Sequence, residues 1–179
     1  MIVKIINGKD IPFKEVMGIR QIRANAFWDG IIKEERKVPF NEETLFIIHD
    51  KQEKIMAVGC LFPIEAKFLK RFYTIQGIWN IVSIQKGKWY GKILMQAIYS
   101  YLKKKKITGL WFCSPTNTAF YKKCNFLIQN NRIDRFINTS GIGRQPPADE
   151  DILYREGKDQ FIKKFLSHPK AKVYIPRFW

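Results

Sequence analysis

The residues best suited to chemistry are the lysines and glycines of the segment 86–92, which reads KGKWYGK. Gly87 and Gly91 have no Cβ and let backbone N–H groups approach a ligand closely. An apolar, β-rich stretch (72–84) precedes the segment and an amphipathic pattern (90–102) follows it, which predicts a strand, a turn and a helix. The first amides of a helix favour an anion, above all phosphate. The alternative is an ordinary strand-to-helix connection with a solvated basic rim.

A second segment, residues 109–126, has the composition of a short strand followed by a short helix. Leu110 to Cys113 are apolar and predict a buried strand. Ser114 precedes Pro115, which is the order expected of an N-cap and the first helical residue. Asn125 tolerates the left-handed conformation that ends helices, so we expect the helix to end there.

Together, the two segments resemble the GNAT superfamily of N-acetyltransferases. Residues 86–91 (KGKWYG) are similar to that family's R/Q-x-x-G-x-G/A pyrophosphate loop, and residues 120–126 (FYKKCNF) are similar to its F-Y-x-K-x-G-F segment. Lys86 stands where the family has arginine or glutamine, and Trp89 stands at the middle glycine of the loop. Asn125 replaces the glycine before the last phenylalanine.

The resemblance implies a fold and a cofactor. The fold is mixed α/β, with a mostly antiparallel central sheet flanked by helices. Residues 1–138 would form a GNAT-like acetyltransferase domain, and residues 139–179 a C-terminal linker with a helix and strand extension. Acetyl-CoA would be the cofactor, with the backbone of the strand 81–84 paired to its pantetheine arm. The implied cofactor-binding residues are Ile81, Val82, Ser83, Lys86, Gly87, Lys88, Trp89, Tyr90, Gly91, Lys92 and Asn117.

The resemblance also implies a catalytic residue. Tyr121 stands at the position of the family's tyrosine, whose hydroxyl lies near the thiol sulfur and can give a proton to the departing thiolate. The alternative for Tyr121 is a core aromatic residue. Many members use a glutamate on the strand before the loop as the base, and this chain has none there. A water chain, His49 or Glu65 stay open as the route for the amine proton.

The acceptor is a primary amine of a small molecule or peptide under this interpretation, and its identity is open. By analogy with the family, Trp28, Arg23, Glu34 and Glu35 are candidates for the acceptor site. A solvated second helix is the alternative for the two glutamates. The absent base and Trp89 also allow a degenerate relative with a binding or regulatory role and no catalysis.

The positive charge of the chain is concentrated in one window. Net charge is +16, from 32 Lys and Arg against 16 Asp and Glu. Between Glu65 and Asp134 there is no carboxylate, while thirteen Lys and Arg residues lie there. Such a field attracts a polyanion, either coenzyme A or a nucleic-acid backbone. An RNA partner, with an RNA-borne amine as acceptor, is therefore an alternative, although Lys103 to Lys106 are better explained as cations at a helix end.

Composition limits the class of protein. The chain has 179 residues, 46% of them hydrophobic, which is enough to bury a core. No apolar run approaches the roughly eighteen residues of a membrane span, and the first ten residues lack the pattern of a signal peptide. Three unclustered cysteines favour reduced thiols, and the spacing of histidine and cysteine predicts no metal site. We expect a cytoplasmic protein that does not enter a membrane.

Apolar patterns also predict the remaining elements. They indicate a strand over residues 1–7, a helix from Phe13 to about Trp28, and a hairpin formed by 44–49 and 55–64. Residues 127–137 can supply one or two further strands.

The end of the chain should follow a flexible connection. Residues 139–147 are linker-like by composition. The spacing of Phe161, Ile162, Phe165 and Leu166 predicts a short amphipathic helix, and Val173 to Ile175 a closing strand. This extension must bury its apolar face, either against its own sheet or in a homodimer.

Overall fold

The computed structural model describes residues 2–26, 40–85, 87–130, 132–142 and 146–178. Within these residues, nine strands form one sheet, which four helices flank. The strands are β1 (Val3–Asn7), β2 (Thr44–His49), β3 (Ile55–Phe68), β4 (Arg71–Ser83), β5 (Gly109–Cys113), β6 (Leu127–Gln129), β7 (Phe136–Ile142), β8 (Asp151–Arg155) and β9 (Val173–Arg177). The helices are α1 (Phe13–Ala26), α2 (Tyr90–Lys105), α3 (Thr118–Lys122) and α4 (Phe161–Ser167). None of these helices has the length and apolar character needed to cross a bilayer.

The sheet is mostly antiparallel, in the order β1-β2-β3-β4-β5-β8-β6, and β9 pairs with both β3 and β7. The pair formed by β4 and β5 is parallel, with Gln76 opposite Gly109 and Gly77 opposite Leu110. A parallel pair needs a crossover connection, and α2 lies in that connection. The predicted mixed α/β fold, with its mostly antiparallel sheet and flanking helices, is confirmed.

Backbone contacts divide the chain into two compact units. The first unit contains Met1–Phe62 and Trp79–Ile98, and the second contains Pro63–Ile78 and Tyr99–Trp179. Three elements, β3, β4 and α2, therefore contribute residues to both units. The second unit also contains residues on both sides of the predicted boundary at residue 138.

In the first unit, α1 supplies apolar residues to the core formed with β2 and β3. The two strands are antiparallel, from Thr44 opposite Leu61 to His49 opposite Ile55, which confirms the predicted hairpin. Ile19 and Ile22 on α1 are buried in the same cluster as residues of both strands. β1 pairs with β2 in antiparallel register and confirms the first predicted strand.

In the second unit, β8 is a strand that the sequence did not predict. It pairs along its whole length with β5, from Gly109 opposite Arg155 to Cys113 opposite Asp151. β6 pairs with the other edge of β8. Apolar and polar residues do not alternate clearly along β8. Its partner β5 lies about forty residues earlier in the chain. Local patterns therefore could not indicate this strand.

The predicted linker is shorter than its composition indicates, because residues 139–142 belong to β7. This strand pairs in parallel with β9, from Phe136 opposite Val173 to Ile142 opposite Arg177. The register shifts between Asn138 and Ile142, where Gly141 has a φ of 72°. The glycine that favoured a flexible linker instead permits an irregular strand, in which the Ser140 and Gly141 amides donate to Asn138 Oδ1.

The C-terminal extension buries most of its large apolar residues within its own chain, while Leu166 and Tyr174 are exposed. The predicted helix and closing strand are confirmed as α4 and β9. Phe161, Phe165 and Phe178 are buried, and the ring centroid of Phe178 lies 5.6 Å from that of Phe112 on β5. A homodimer through this extension stays a prediction.

A buried arginine holds the end of α4. The Arg135 side chain donates to the carbonyls of Phe165 (2.9 Å), His168 (2.7 Å) and Ala171 (2.8 Å). Its guanidinium carbon lies 3.7 Å from the centroid of the Phe165 ring. Burial lowers the pKa of Arg135. These bonds add a charged donor at carbonyls at and beyond the C-terminus of α4, where the Phe165 and His168 carbonyls also accept from the His168 (3.4 Å) and Ala171 (3.0 Å) amides.

We expect Arg135→Met to lower the free energy of unfolding by about 3 kcal/mol, because it keeps much of the buried stem but removes charged hydrogen bonds to three carbonyls. A chain of this size would then melt roughly 8 °C lower in thermal denaturation. Arg132→Met, at an exposed arginine in the same turn, is the matched control and should change the melting temperature little. Equal melting of the two variants would contradict the assigned role.

Candidate active site

The turn between β4 and α2 adopts the conformation that its glycine was expected to permit. Gly87 has a φ of 77°, in the left-handed region. A Cβ at this position would meet no atom within 4 Å, so the turn is open on that side. α2 begins at Tyr90, and the Ile93 amide donates to the Trp89 carbonyl at 2.9 Å. The earlier amides at this helix start have no partner within the helix and can bind an anion.

The side chains around this turn are cationic and open to solvent. Lys88 is exposed, and Trp89 is 68% exposed. The Lys92 ammonium lies 5.0 Å from the centroid of the Trp89 ring, in cation–π contact. Gly91 lies within the first helical turn of α2. Of the two glycines, only Gly87 lies in the connection between β4 and α2 and gives its backbone conformational freedom. Lys86 lies outside the described residues.

The strand before the turn contains one residue in the left-handed region, Asn80, which has a φ of 54°. The parallel pairing with β5 covers Gln76 and Gly77, which precede Asn80. Ile81 to Ser83 follow it; Val82 is buried in the core of the first unit, and its two neighbours are half-buried. A left-handed residue inside a strand bends the backbone and changes the direction of the residues that follow.

Tyr121 lies on α3 in the second unit and is buried. Its ring centroid is 5.2 Å from that of Trp111 and 5.0 Å from that of Phe120. Burial raises the pKa of the Tyr121 hydroxyl, and Cys113 and Cys124 raise it further. The phenol therefore carries its proton at neutral pH.

The ends of this helical segment largely follow the sequence prediction. Ser114 stands at the N-cap position, before a 3-10 turn (Pro115–Asn117), but its hydroxyl bonds that of Thr116 at 2.9 Å instead of a backbone amide. Asn117 is exposed at the end of this turn. Asn125 has a φ of 72° and ends the segment in the left-handed conformation, as predicted.

A buried carboxylate in the second unit escaped the sequence analysis. Asp151 stands opposite Cys113 and is 1% exposed. Its Oδ1 accepts a hydrogen bond from Asn130 at 2.8 Å, while Oδ2 has no partner among the described residues. Burial and the charges of Asp151 and Glu150 raise the pKa of the Cys113 thiol to about 12. The only signal in the sequence was an acidic run, a pattern that is ordinarily solvated.

The two candidate bases are differently placed. His49 Nε2 lies 3.0 Å from a carboxylate oxygen of Glu15, whose other oxygen accepts from Lys4 at 2.9 Å. Burial alone would raise the pKa of Glu15, but the hydrogen bonds and charges of Lys4 and His49 outweigh it and lower that pKa. His49 is thus part of a polar network with Glu15 and Lys4 in the first unit. Glu65 is exposed on β3.

The acceptor-site candidates are mostly outside the part of the chain that the structure describes. Arg23, on α1, is buried, and its guanidinium carbon lies 5.5 Å from the centroid of the Trp79 ring. Trp28, Glu34 and Glu35 all lie outside the described residues.

Comparison with known proteins identifies the fold of the chain through solved structures, but it does not identify a sequence family. No protein-family model and no curated protein sequence matches this chain. Solved structures do match it. YhbS from Escherichia coli, a GNAT family N-acetyltransferase in complex with CoA, has a TM-score of 0.63 at 10% identity, covering 99% of this chain and 89% of YhbS.

Two further structures are similar. ElaA from Escherichia coli has a TM-score of 0.59 at 10% identity, and an acyl-CoA N-acyltransferase from Pseudomonas aeruginosa has 0.57 at 11% identity. Each match covers 87% of this chain and 99% of the other. The chain therefore has the fold of the GNAT N-acetyltransferases. The match to YhbS spans nearly the whole chain and so includes the C-terminal extension.

Proposed function

We propose that the protein is an acetyl-CoA-dependent N-acetyltransferase that acts on a primary amine of a small molecule or peptide. The observation that carries this proposal is the open, left-handed turn at Gly87, which leads into the N-terminus of α2 in a chain with the GNAT fold. A pyrophosphate would bind the amides of this helix start, together with Lys86, Lys88 and Lys92. The CoA complex of YhbS, a protein of the same fold, supports the choice of cofactor.

The end of β4 would hold the pantetheine arm. Asn80 separates the part of β4 that pairs with β5 from Ile81 to Ser83, and this supports a backbone role for those three residues. Trp89, Tyr90, Gly91 and Asn117 complete the proposed cofactor contacts. In this proposal, the indole of Trp89 points into solvent and leaves the turn's amides accessible, which its exposure supports.

Acetyl transfer makes three demands on the protein. Acetyl-CoA supplies an activated acetyl group as a thioester, so the acceptor must be a neutral amine whose nitrogen attacks the carbonyl carbon. Nearby lysines would lower the pKa of that amine by charge repulsion and so favour the neutral form. Tyr121 would hold its proton and donate a hydrogen bond to the sulfur as the carbon–sulfur bond breaks.

Two alternative functions can be distinguished from this proposal by assaying acetyl transfer. A degenerate relative without catalysis is favoured by the substitution of Trp89 for glycine in the loop. An acetyltransferase that acts on an RNA-borne amine is favoured by the carboxylate-free basic window. The first predicts no turnover with any amine, and the second predicts that the acetyl group from acetyl-CoA appears on RNA.

Acetyl-CoA and CoA should raise the melting temperature, and adenosine should not, because the turn recognises pyrophosphate. At about 100 times Kd, the stabilisation is about 2.7 kcal/mol. Gly87→Ala should weaken this shift, since alanine is strained at a φ of 77°. Gly141→Ala is the matched control, because Gly141 also has a left-handed φ and open space at its Cβ. Thermal shift assays measure the melting temperatures of the wild type and both variants with and without cofactor. If millimolar cofactor does not shift the melting temperature of the wild type, the enzyme proposal is overturned.

Tyr121→Phe should lower turnover by at least about tenfold, as expected when a hydrogen-bond donor to the charge that develops on the sulfur is removed. Stability should change little, because the ring contacts persist and no partner of the hydroxyl is found among the described residues. The assay follows free thiol release with an acceptor found by screening amines. Tyr154→Phe, at a half-buried tyrosine whose pKa is also raised by burial, is the control. Unchanged turnover of Tyr121→Phe would make Tyr121 a core residue only.

Trp89→Gly should leave CoA affinity within about tenfold, or 1.4 kcal/mol, if the indole points away from the ligand. Isothermal titration calorimetry measures the affinity of both proteins. If the wild type fails to bind CoA while the glycine variant binds it tightly, the indole blocks the site. The protein would then be a non-catalytic relative.

A further inference from the structure

The second unit contains a cleft that the proposed acetyl-transfer site does not use. It has a volume of about 390 Å³. We call it the basic cleft, and its lining includes Arg71, Phe72, Tyr73, Lys106, Lys158 and Lys164. One carboxylate, Asp159, also lines it. That carboxylate accepts hydrogen bonds from the Thr108 hydroxyl (2.7 Å) and the Phe161 amide (3.3 Å), so it is already engaged. Four cations therefore face a ligand in this cleft, although the Lys164 ammonium also donates to the Asp159 carbonyl at 2.6 Å.

Aromatic rings alternate with these cations. Phe72 is 69% exposed, and the Lys67 ammonium lies 5.8 Å from its ring centroid. The Lys164 ammonium lies 5.0 Å from the centroid of the Tyr73 ring. An exposed phenyl ring makes no favourable polar contact with water, but its planar face can stack on a nucleobase. The nearby ammonium groups would form ion pairs with the phosphates on either side of that base.

The basic surface extends beyond this cleft. A second cavity, of about 750 Å³, is lined by Lys103 and Lys122 together with Tyr99 and Asn125. Lys103 lines the second cavity and Lys106 lines the basic cleft, so the end of α2 borders both. Such an array exceeds what one phosphate group requires. It fits a chain of phosphates, and the exposed ring fits unpaired bases.

We propose that the basic cleft binds single-stranded nucleic acid, with Phe72 as a stacking platform and Lys106, Lys158 and Lys164 as phosphate contacts. The net charge of +16 gives a polyanion a favourable approach to this surface. None of these residues belongs to the proposed cofactor site. Nucleic-acid binding can therefore be tested, and can fail, independently of acetyl transfer.

A substitution at Lys106 can remove a cation from the cleft without destabilising the fold, so that a loss of nucleic-acid binding cannot be attributed to unfolding. It has a φ of 58° at the end of α2, where the Ile107 amide donates to the Leu102 carbonyl at 3.1 Å. Glycine is the usual residue in this left-handed position. Lys106→Gly should therefore raise the melting temperature while it removes one cation from the cleft.

The experiment measures the anisotropy of a fluorescent oligouridine of about 12 nucleotides over a series of salt concentrations. Phe72→Ala should weaken binding about tenfold, the scale of one base–aromatic stack. Phe13→Ala is the matched control, because Phe13 is 76% exposed and lies on α1 in the first unit. It should leave the affinity within about twofold.

The salt series tests the cations. Lys106→Gly combined with Lys158→Gln should reduce the slope of log affinity against log salt by about 1.4, since each phosphate that is no longer neutralised lowers it by about 0.7. Lys51→Gln combined with Lys54→Gln removes two exposed charges from the first unit and should leave the slope unchanged. A DNA oligomer of the matching sequence shows whether the sugar matters, and excess CoA should not displace either strand.

Three outcomes would overturn the proposal. Equal affinities of Phe72→Ala and Phe13→Ala would show that no base stacks on Phe72. A blunt duplex that binds as tightly as the single strand would show that the surface attracts any polyanion. Binding to anionic phospholipid vesicles that Phe72→Ala abolishes, without binding of the oligomer, would assign the surface to a membrane headgroup.

Discussion

The parallel pairing of β4 with β5 is the constraint on which the rest of the architecture depends. Two parallel neighbours cannot be joined by a tight hairpin, so the chain between them must cross over, and α2 lies in that crossover. A helix that follows a strand in this way begins next to the carboxyl end of that strand. The left-handed turn at Gly87 and the amides at the start of α2 occur where such sheets commonly bind ligands.

The two ends of α2 use left-handed residues differently. The turn before α2 has glycine at its left-handed position, where no side chain limits the approach of an anion. The end of α2 has Lys106 in the same conformation, although glycine would be less strained there. A lysine that costs stability at a helix end is consistent with a role for its charge beyond the helix dipole.

Sequence patterns predicted those parts of the fold that local physics determines. The hairpin of β2 and β3, the start of α2 and the end of the helical segment at Asn125 follow from apolar period and turn chemistry. Long-range pairing escaped prediction. β8, the paired end of β7 and the burial of Asp151 all depend on partners far away in sequence. The basic cleft likewise combines β4 with residues from 106 to 164, which no local window contains.

The surroundings of Tyr121 limit the chemistry that it can perform. Burial is the main cause of its raised pKa, and burial together with Asp151 holds the neighbouring Cys113 as a neutral thiol. A phenol of raised pKa is a weaker acid than an ordinary thiol, whose pKa is about 8.5. Complete proton transfer from Tyr121 to a departing thiolate would therefore be uphill. Under the proposed function, Tyr121 stabilises the developing charge by a hydrogen bond, and the proton that neutralises the thiolate comes from the amine.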